Sequence, residues 1–286
     1  MQTNPTAMYW KSLGHMRIKC ELCPHLCIIE NGKLGKCQAR VNHGGILYTL
    51  SYGKVVSYAY DPIEKKPLAH FHPDSTIFSI GTSKCNLTCS FCQNHSLVSF
   101  DGNVRTTSPK EIVTLAKQNG SIGIAYTYNE PTIWYEYMLE TCKLAKTEGL
   151  INVMVTNGYI NSAPMIELLP WLDAMNIDLK GTSNSFYQDI CGGTLQPVKE
   201  TISLCSKSTH VEVTMLLIDS LNTNWTDFER TCKWLADLNS NLPLHISRYF
   251  PAHQLTIQKT RLETLTIARE IAQKYLKNVH IGNAFI

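Results

Sequence analysis

From residue 77 onward, apolar residues gather in short runs of strand length that alternate with longer stretches of helical spacing. The short runs predict strands over residues 77–82, 121–127, 151–156, 173–179, 209–217, 244–250 and 278–283. The longer stretches predict helices over residues 109–119, 132–148, 161–170, 195–207, 225–240 and 258–277. Because strands and helices alternate, the pattern predicts right-handed βαβ units on a parallel sheet, an α/β fold that closes partly into a barrel.

The first 75 residues have a different pattern. They contain four closely spaced cysteines, a glycine pair and a short alternating segment over residues 46–60, which suits a small antiparallel module. The sequence therefore predicts two domains. A four-cysteine module with its linker occupies residues 1–75, and the barrel occupies residues 76–286.

Composition and charge argue against a nucleic-acid-binding, membrane or secreted protein. A formal net charge of +3 on 286 residues predicts neither a nucleic-acid partner nor a membrane surface. The longest apolar runs are of strand length, and the N-terminal segment lacks the apolar core of a secretory signal. Eleven cysteines without an export signal favour reduced thiols and metal ligation, and predict a cytoplasmic protein.

Three cysteines follow the first barrel strand in the stretch Cys85-Asn-Leu-Thr-Cys89-Ser-Phe-Cys92. Three thiolates at this spacing can hold three irons of a 4Fe-4S cluster, which leaves the fourth iron open to an outside ligand. The alternatives are a structural zinc site, which prefers four closed ligands, and three unrelated thiols. A loop at the carboxyl end of a strand is where barrel enzymes carry their active sites.

Polar residues also follow the next predicted strands. Asn129-Glu130-Pro131 comes after the second, Thr156-Asn157 after the third, and Asp178-Leu-Lys180 ends the fourth. Backbone carbonyls beside the proline can hold an ammonium group, and a lysine can pair with a carboxylate. Each motif alone is weak, but their order after successive strands favours a pocket for the amino-acid end of a ligand.

The cluster loop and the later motifs resemble the radical S-adenosylmethionine (SAM) superfamily. From about residue 77 to residue 216 the sequence looks like its activating-enzyme branch, related to pyruvate formate-lyase activase. The resemblance implies an oxidoreductase with a partial (β/α)6 TIM barrel, in which the open iron binds the amino and carboxylate groups of SAM. It implies that Cys85, Cys89 and Cys92 hold the cluster, Phe91 lies beside the adenine, and Asn129, Glu130, Thr156, Asn157, Asp178 and Lys180 form the SAM pocket.

The sequence departs from the branch at two points. Val155 replaces an aspartate that helps to form a monovalent cation site, and Asn129-Glu130-Pro131 lacks the usual glycine pair.

A closer resemblance covers residues 20 to 286 and concerns the radical SAM component of the AmmeMemoRadiSam system. It implies a reducing donor of the flavodoxin or ferredoxin type, and a protein substrate or system partners. The residues that carry it are Cys20-Glu-Leu-Cys23-Pro24-His25-Leu-Cys27, Gly35-Lys-Cys37-Gln-Ala-Arg40, Asp61-Pro-Ile-Glu64-Lys65-Lys66-Pro67-Leu68, Cys92-Gln93-Asn94, Thr127-Tyr-Asn129-Glu130-Pro131 and His245-Ile-Ser-Arg248-Tyr-Phe-Pro251.

The N-terminal group of Cys20, Cys23, Cys27 and Cys37 provides the four ligands of a closed metal site. Zinc would stabilise a small loop-rich module. An auxiliary 4Fe-4S cluster also takes four cysteines, so both assignments stay open.

The linker of residues 61–68 contains two prolines and mixed charges, which is typical of a solvated segment. Its place before the first barrel strand also predicts packing over the barrel mouth, with Glu64 and Lys65 as candidate contacts. His245 and Arg248, in the sixth predicted strand, are further candidates for the mouth.

Two functions follow from these features. The first is a radical SAM enzyme that cleaves SAM to methionine and a 5′-deoxyadenosyl radical, which abstracts hydrogen from a substrate such as a glycyl residue of a partner protein. The second is a non-catalytic iron-sulfur or zinc protein that carries electrons or mediates interactions. The strand-end pocket residues favour the enzyme, since an electron carrier needs no amino-acid pocket.

Overall fold

A computed structural model describes residues 4–284 of the chain. Before the barrel, β1 (Trp10–Gly14), β2 (Arg17–Cys20) and β3 (Ile28–Ile29) form a small antiparallel sheet, and β4 (Arg40–His43) pairs with β5 (Ile46–Thr49). The central sheet contains β6 (Ser57–Pro62), β7 (Thr76–Gly81), β8 (Gly123–Tyr126), β9 (Ile151–Thr156), β10 (Ala174–Asp178), β11 (His210–Leu217), β12 (Leu244–Arg248) and β13 (Val279–Gly282).

Helices connect the strands of this sheet. They are α1 (His95–Val98), α2 (Pro109–Ala116), α3 (Tyr135–Thr147), α4 (Ser162–Leu168), α5 (Asn184–Phe186), α6 (Leu195–Cys205), α7 (Trp225–Leu238) and α8 (Leu262–Gln273). The start of α2 shows how local sequence sets a boundary. Ser108 Oγ accepts the Glu111 N–H at 3.2 Å, the Glu111 carboxylate accepts the Ser108 N–H at 2.7 Å, and Pro109 occupies the first helical position.

The predicted α/β partial barrel is confirmed. The central sheet has eight strands in the order β13-β12-β11-β10-β9-β8-β7-β6, so neighbours in the sheet are neighbours along the chain. All of them pair in parallel except β6 with β7. Each strand predicted from residue 77 onward is a strand in the structure, with bounds that differ by a few residues.

The antiparallel edge strand β6 was not predicted as part of this sheet. It lies within residues 1–75, yet Ser57 pairs with Gly81 and Pro62 with Thr76. Residues 63–75 connect β6 to β7 and return the chain to the start of β7, so the two strands run antiparallel. The division of the chain at residue 75 stays a prediction.

The predicted position of the linker over the barrel mouth is wrong. The backbone N–H groups of Ala69 and His70 donate to the Glu212 carboxylate at 3.0 and 2.8 Å, and Asn176 Nδ2 donates to the Pro67 carbonyl at 2.8 Å. Glu212 lies near the start of β11, so the linker covers the amino-terminal ends of the strands. Ile63 and Leu68 pack there in an apolar cluster with Ile77, Ala125, Val153 and Ala174.

Of the other candidates, His245, Glu64 and Lys65 lie away from the mouth, whereas Arg248 ends β12 at the carboxyl side of the sheet. His245 Nε2 donates to Glu212 at 2.5 Å at the base of the barrel. Glu64 accepts the Asp74 N–H at 2.7 Å, and Lys65 pairs with Asp61. Arg248 Nε donates to the Thr260 carbonyl at 2.7 Å. Within residues 4–284, no helix is long and apolar enough to cross a membrane.

We expect the buried Glu212 to make stability depend on pH. Burial raises the pKa of its carboxyl group, but donors from His210, His245, His70 and Ala69 outweigh burial and hold the pKa well below its usual value. A lowered folded-state pKa gives stability that is present above the unfolded pKa near 4.5 and is lost as the pH falls towards the folded pKa. Glu212→Gln should therefore lower the unfolding free energy by about 2 to 3 kcal/mol at pH 7.

Urea unfolding from neutral to acidic pH should show the difference between wild type and Glu212→Gln shrinking below about pH 4.5. Glu263→Gln is the control, because that side chain is 74% exposed on α8 and should change little. A difference that stays constant with pH would contradict the assignment.

Candidate active site

A cleft of about 930 Å³ opens at the carboxyl ends of the central strands. This edge of the sheet is where loops from successive parallel strands converge. Every residue that the sequence assigned to the cluster loop and the SAM pocket lines the cleft. These residues are Cys85, Cys89, Phe91, Cys92, Asn129, Glu130, Thr156, Asn157, Asp178 and Lys180. Their individual roles stay predictions.

The cysteine loop after β7 is held by hydrogen bonds from other parts of the cleft. Asn129 Oδ1 accepts the Thr82 N–H at 3.1 Å, and Asn129 Nδ2 donates to the Lys84 carbonyl at 2.9 Å. Further along, the Thr88 N–H donates to the Cys191 carbonyl at 2.9 Å. The loop that carries the three thiols is therefore fixed at its start and middle. Asn129 contributes to this through its side chain, whereas the prediction for this segment concerned its backbone and the amino group of SAM.

Glu130 links the ends of β8 and β9. Its carboxylate is 1% exposed and accepts the Thr132 N–H at 2.9 Å, the Thr156 hydroxyl at 2.7 Å and the Asn157 N–H at 2.7 Å. Burial raises the pKa of Glu130, and these three donors lower it again in part. Since its oxygens already have protein partners, the main role of Glu130 is to hold the loops after β8 and β9 together.

Asn157 connects this support to the cysteine loop. Its Nδ2 atom lies 2.9 Å from Asn86 Oδ1 and 3.7 Å from Cys85 Sγ. Asn86 Nδ2 in turn donates to the Tyr159 carbonyl at 2.8 Å. A hydrogen-bond donor directed at a ligand sulfur is one of the means by which a protein tunes an iron-sulfur cluster.

Asp178 and Lys180 place a charged pair beside the thiols. Lys180 Nζ lies 3.0 Å from Asp178 Oδ2 and 6.0 Å from the centre of the Phe91 ring. Burial alone would lower the pKa of Lys180, but Asp178, Cys89 and Cys191 raise it well above its ordinary value. The site therefore holds a cation beside the cysteines, where an anionic ligand group would be bound.

Phe91 is 4% exposed and packs at 6.0 Å from Phe186 with a tilt of 31°. Its ring forms an apolar wall next to Lys180. Contact with an adenine stays a prediction.

The pKa of each of the three loop thiols is raised above its ordinary value. Burial raises the pKa of Cys85 and of Cys92, while Lys180 lowers both. For Cys89 the neighbouring thiol of Cys191 is the largest cause of a raised pKa, followed by burial. A metal must therefore displace protons from these thiols when it binds.

The four N-terminal cysteines come together at a second, smaller cavity. Cys20, Cys23, Cys27 and Cys37 line it with His25, Arg40 and Asn86. His25 Nε2 lies 2.6 Å from the Asn86 carbonyl, so the cavity adjoins the loop of the three cysteines.

Neither cysteine group gathers its thiols at one point. Among residues 4–284, no three His, Cys, Asp or Glu side chains are arranged to hold a single metal ion. In a 4Fe-4S cluster each cysteine binds a different iron, so its ligands need not meet at one point.

Sequence reasoning missed Tyr128. Its φ is +72°, which is rare for a bulky side chain, and its hydroxyl donates to Asp61 Oδ2 at 2.8 Å. Gly81 leaves room for this conformation, because a Cβ there would lie 2.6 Å from the Thr127 carbonyl oxygen. Tyr128 lines the cleft, but no spacing signal in the sequence identifies it. The contact of Cys191 with Cys89 depends on the tertiary fold, so no local pattern in the sequence identifies it.

Comparison with known proteins identifies the relatives of the chain. The family model of the radical SAM superfamily matches residues 79–235, more than half of the sequence. An uncharacterized protein of Methanocaldococcus jannaschii, MJ0808, is 43% identical over 284 residues, which cover 97% of this chain and 84% of that protein. GTP 3′,8-cyclase of Lactiplantibacillus plantarum is 27% identical over 132 residues, 44% of this chain and 40% of that enzyme.

Among solved structures, SuiB of Streptococcus suis bound to S-adenosylmethionine aligns with a TM-score of 0.55 and 13% identity. The alignment covers 73% of this chain and 51% of SuiB. At this identity the similarity supports the fold.

We expect the cysteine loop to hold its metal through all three thiols. Cys92→Ala should remove about four irons per chain on anaerobic reconstitution, because a cubane with two remaining protein ligands is poorly held. Iron and sulfide analysis measures the loss. Cys232→Ala, a buried cysteine on α7, is the control and should keep the iron content of wild type. Equal iron in both variants would contradict the assignment.

Proposed function

Because the chain belongs to the radical SAM superfamily, we propose that its cleft cleaves SAM to initiate hydrogen abstraction from a substrate. Membership implies an enzyme with a 4Fe-4S cluster and SAM. The observation that carries the proposal is the meeting of three thiols, a buried lysine and the polar strand-end residues in one cleft.

The residues present fit the cluster. Cys85, Cys89 and Cys92 come from one loop, and the amide of Asn157 already lies 3.7 Å from Cys85 Sγ. When bound, the reduced cluster would supply the electron that splits SAM into methionine and a 5′-deoxyadenosyl radical. The three cysteines are half-buried where they line the cleft.

The SAM pocket is built from Lys180 and Asp178 on one side and the end of β8 on the other. Lys180 can bind the carboxylate of SAM, because it is a protonated side chain that is only 17% exposed. Asp178 holds the ammonium group of Lys180 in place at 3.0 Å. The backbone around Asn129 supplies carbonyls for the amino group of SAM, and the Phe91 face offers an apolar surface for adenine.

The substrate site is the remainder of the cleft. Its volume of about 930 Å³ is at the upper end of the range for small-molecule sites, which leaves room for a second molecule beside SAM. The resemblance to activating enzymes supports a glycyl residue of a partner protein as the substrate, and the resemblance to the AmmeMemoRadiSam system supports its partner proteins. A flavodoxin or ferredoxin would act as the one-electron donor.

The remaining features of the proposal concern cofactors and compartment. The four thiols that line the N-terminal cavity are the ligands we propose for a second metal, zinc or an iron-sulfur cluster, and they would have to move closer together to hold a single ion. All eleven cysteines are free thiols, as a reducing compartment such as the cytoplasm would keep them.

Release of 5′-deoxyadenosine tests the enzyme proposal directly. Reconstituted wild-type protein with dithionite and SAM should form it slowly without substrate and faster with substrate, as measured by chromatography. The electron-spin signal of the reduced cluster should change when SAM is added. Intact cluster without any 5′-deoxyadenosine would overturn the proposal in favour of a non-catalytic electron carrier.

Lys180→Ala tests the SAM pocket. Loss of a charge-assisted bond in a shielded site should cost about 1.5 to 3 kcal/mol, or roughly ten- to more than a hundredfold in SAM affinity. Asp178→Ala should weaken binding too, with cluster content unchanged in both variants. Equilibrium dialysis with SAM measures the affinity.

Lys146→Ala is the matched control for Lys180→Ala. Lys146 forms a similar half-buried pair with Asp173, but at the opposite end of β10. It should bind SAM as wild type does. Equal affinity of Lys180→Ala and Lys146→Ala would show that the carboxylate is bound elsewhere.

A further inference from the structure

We propose that His70 and His280 form a proton-controlled latch that fastens the connection between β6 and β7 to the last strand of the barrel. The latch lies at the base of the barrel, opposite the cleft, and is independent of the proposed function. It belongs to a cluster of five titratable side chains to which the radical chemistry gives no role. This base cluster consists of His70, His210, Glu212, His245 and His280.

The members of the base cluster contact each other in series. The Nε2 atoms of His70 and His280 lie 2.8 Å apart. The His280 ring stacks on that of His245, its register partner on β12, with ring centres 5.1 Å apart and a tilt of 22°. His245 Nε2 lies 2.5 Å from Oε2 of Glu212, and His210 Nε2 lies 2.9 Å from Oε1. The series therefore joins the connection of residues 63–75 to β11, β12 and β13.

Two kinds of contact hold the connection at this point. The backbone N–H groups of Ala69 and His70 donate to the Glu212 carboxylate, and the His70 ring adds a side-chain bond to β13. His70 is exposed, whereas the Glu212 side chain is fully buried. His72, two residues further on, packs its ring against Phe71 instead, at 4.6 Å. Protons from solvent therefore have direct access to the bond between His70 and His280.

The short distance between these two rings restricts the protons that they can carry. A neutral imidazole has one N–H and one bare nitrogen, and an imidazolium has two N–H groups. A contact of 2.8 Å between Nε2 atoms requires an N–H on one ring and a bare nitrogen on the other. The bond tolerates one imidazolium, since that ring still donates to a neutral partner. A second added proton sets N–H against N–H and brings two positive charges together, which breaks the bond.

His280 is the ring that resists the second proton. Burial lowers its pKa, His245 and His70 lower it further, and Glu212 raises it in part. Helix α8 also packs against β13, but its charged side chains are not among the groups that act on His280. A lowered folded-state pKa contributes stability that is present above the unfolded value near 6.5 and is lost as the pH falls below it. The latch is therefore closed at neutral pH and loosens in mild acid.

Glu212 does not account for a change in mild acid. Its pKa is held well below its usual value, so its carboxylate stays charged in this range. A proton added to His210 or His245 strengthens the bond to that carboxylate, because the bond becomes charge-assisted. Within the base cluster, the bond between His70 and His280 is the one that an added proton breaks.

The latch fastens a segment that covers the apolar floor of the barrel. Ile63 and Leu68 of the connection pack against Ile77, Ala125 and Val153. The Ile63 N–H donates to the Ser75 carbonyl at 3.0 Å, so the two ends of the connection are tied together. A segment closed at its ends in this way should open as one unit when its outer fastening is lost.

Hydrogen exchange of the full chain, followed by mass spectrometry, measures this opening. Protection of residues 63–75, corrected for the intrinsic exchange rate at each pH, should fall about tenfold between about pH 7 and about pH 5, the change that one pKa unit represents. Peptides from β9, in the interior of the sheet, should keep their protection. Equal corrected protection of residues 63–75 at both pH values would show that the latch does not exist.

Two substitutions of His70 separate the latch from a general effect of acid. His70→Gln keeps a side chain that donates and accepts but cannot gain a charge, so it can pair with His280 in either protonation state. This variant should keep residues 63–75 protected at both pH values. His70→Ala removes the bond and should leave them less protected at both. A fall in His70→Gln as large as in wild type would overturn the assignment.

His43→Gln is the matched control, because His43 is an exposed histidine on β4 in the N-terminal part of the chain, and it should exchange as wild type does. Titration of the His280 ring by NMR gives a second measurement. The pKa of His280 should lie below 6.5 in wild type and rise in His70→Ala, in which a neighbouring positive charge and a donor to the neutral ring are both gone. A His280 pKa that is the same in both proteins would contradict the latch.

Discussion

The arrangement of the cleft depends on one buried carboxylate, that of Glu130. It accepts donors from Thr132, Thr156 and Asn157, and so fixes the end of β8 against the end of β9. Asn157, held in this way, donates to the loop of the three cysteines. A carboxylate that satisfies three buried donors rigidifies the groups around it, because each of them would otherwise lose a hydrogen bond in a place without water.

The barrel was predictable because its strands and helices each have a strong local pattern. Buried parallel strands read as continuous apolar runs, and the Ser108 to Glu111 capping box marks a helix start. The strand β6 was not predictable in the same way. Its residues alternate as the strands of a small module would, and only its pairing with β7 places it at the edge of the barrel sheet.

The residues of the cleft were predictable because the carboxyl ends of parallel strands share one edge, so motifs far apart in sequence meet there. Residues that act through tertiary contacts gave no such signal. Tyr128 needs a left-handed backbone that Gly81 makes room for, and Cys191 meets Cys89 only once the chain after β10 folds over the loop. The position of the linker was predicted wrongly for a related reason. Glu212, which accepts its backbone N–H groups, lies about 140 residues away in the sequence.

The two ends of the barrel differ in how their charges are balanced. At the base, Glu212 has four protein donors, and on the edge strand Asp61 is paired with Lys65, Lys66 and Tyr128. At the mouth, Lys180 is paired with Asp178, and the three loop thiols line the open cleft beside it. The open cleft lies at the mouth, so a ligand that binds the folded protein there adds to its stability. The charged groups at the base of the barrel therefore find their partners within the protein, whereas the opposite edge of the sheet opens into the cleft that the cofactors would fill.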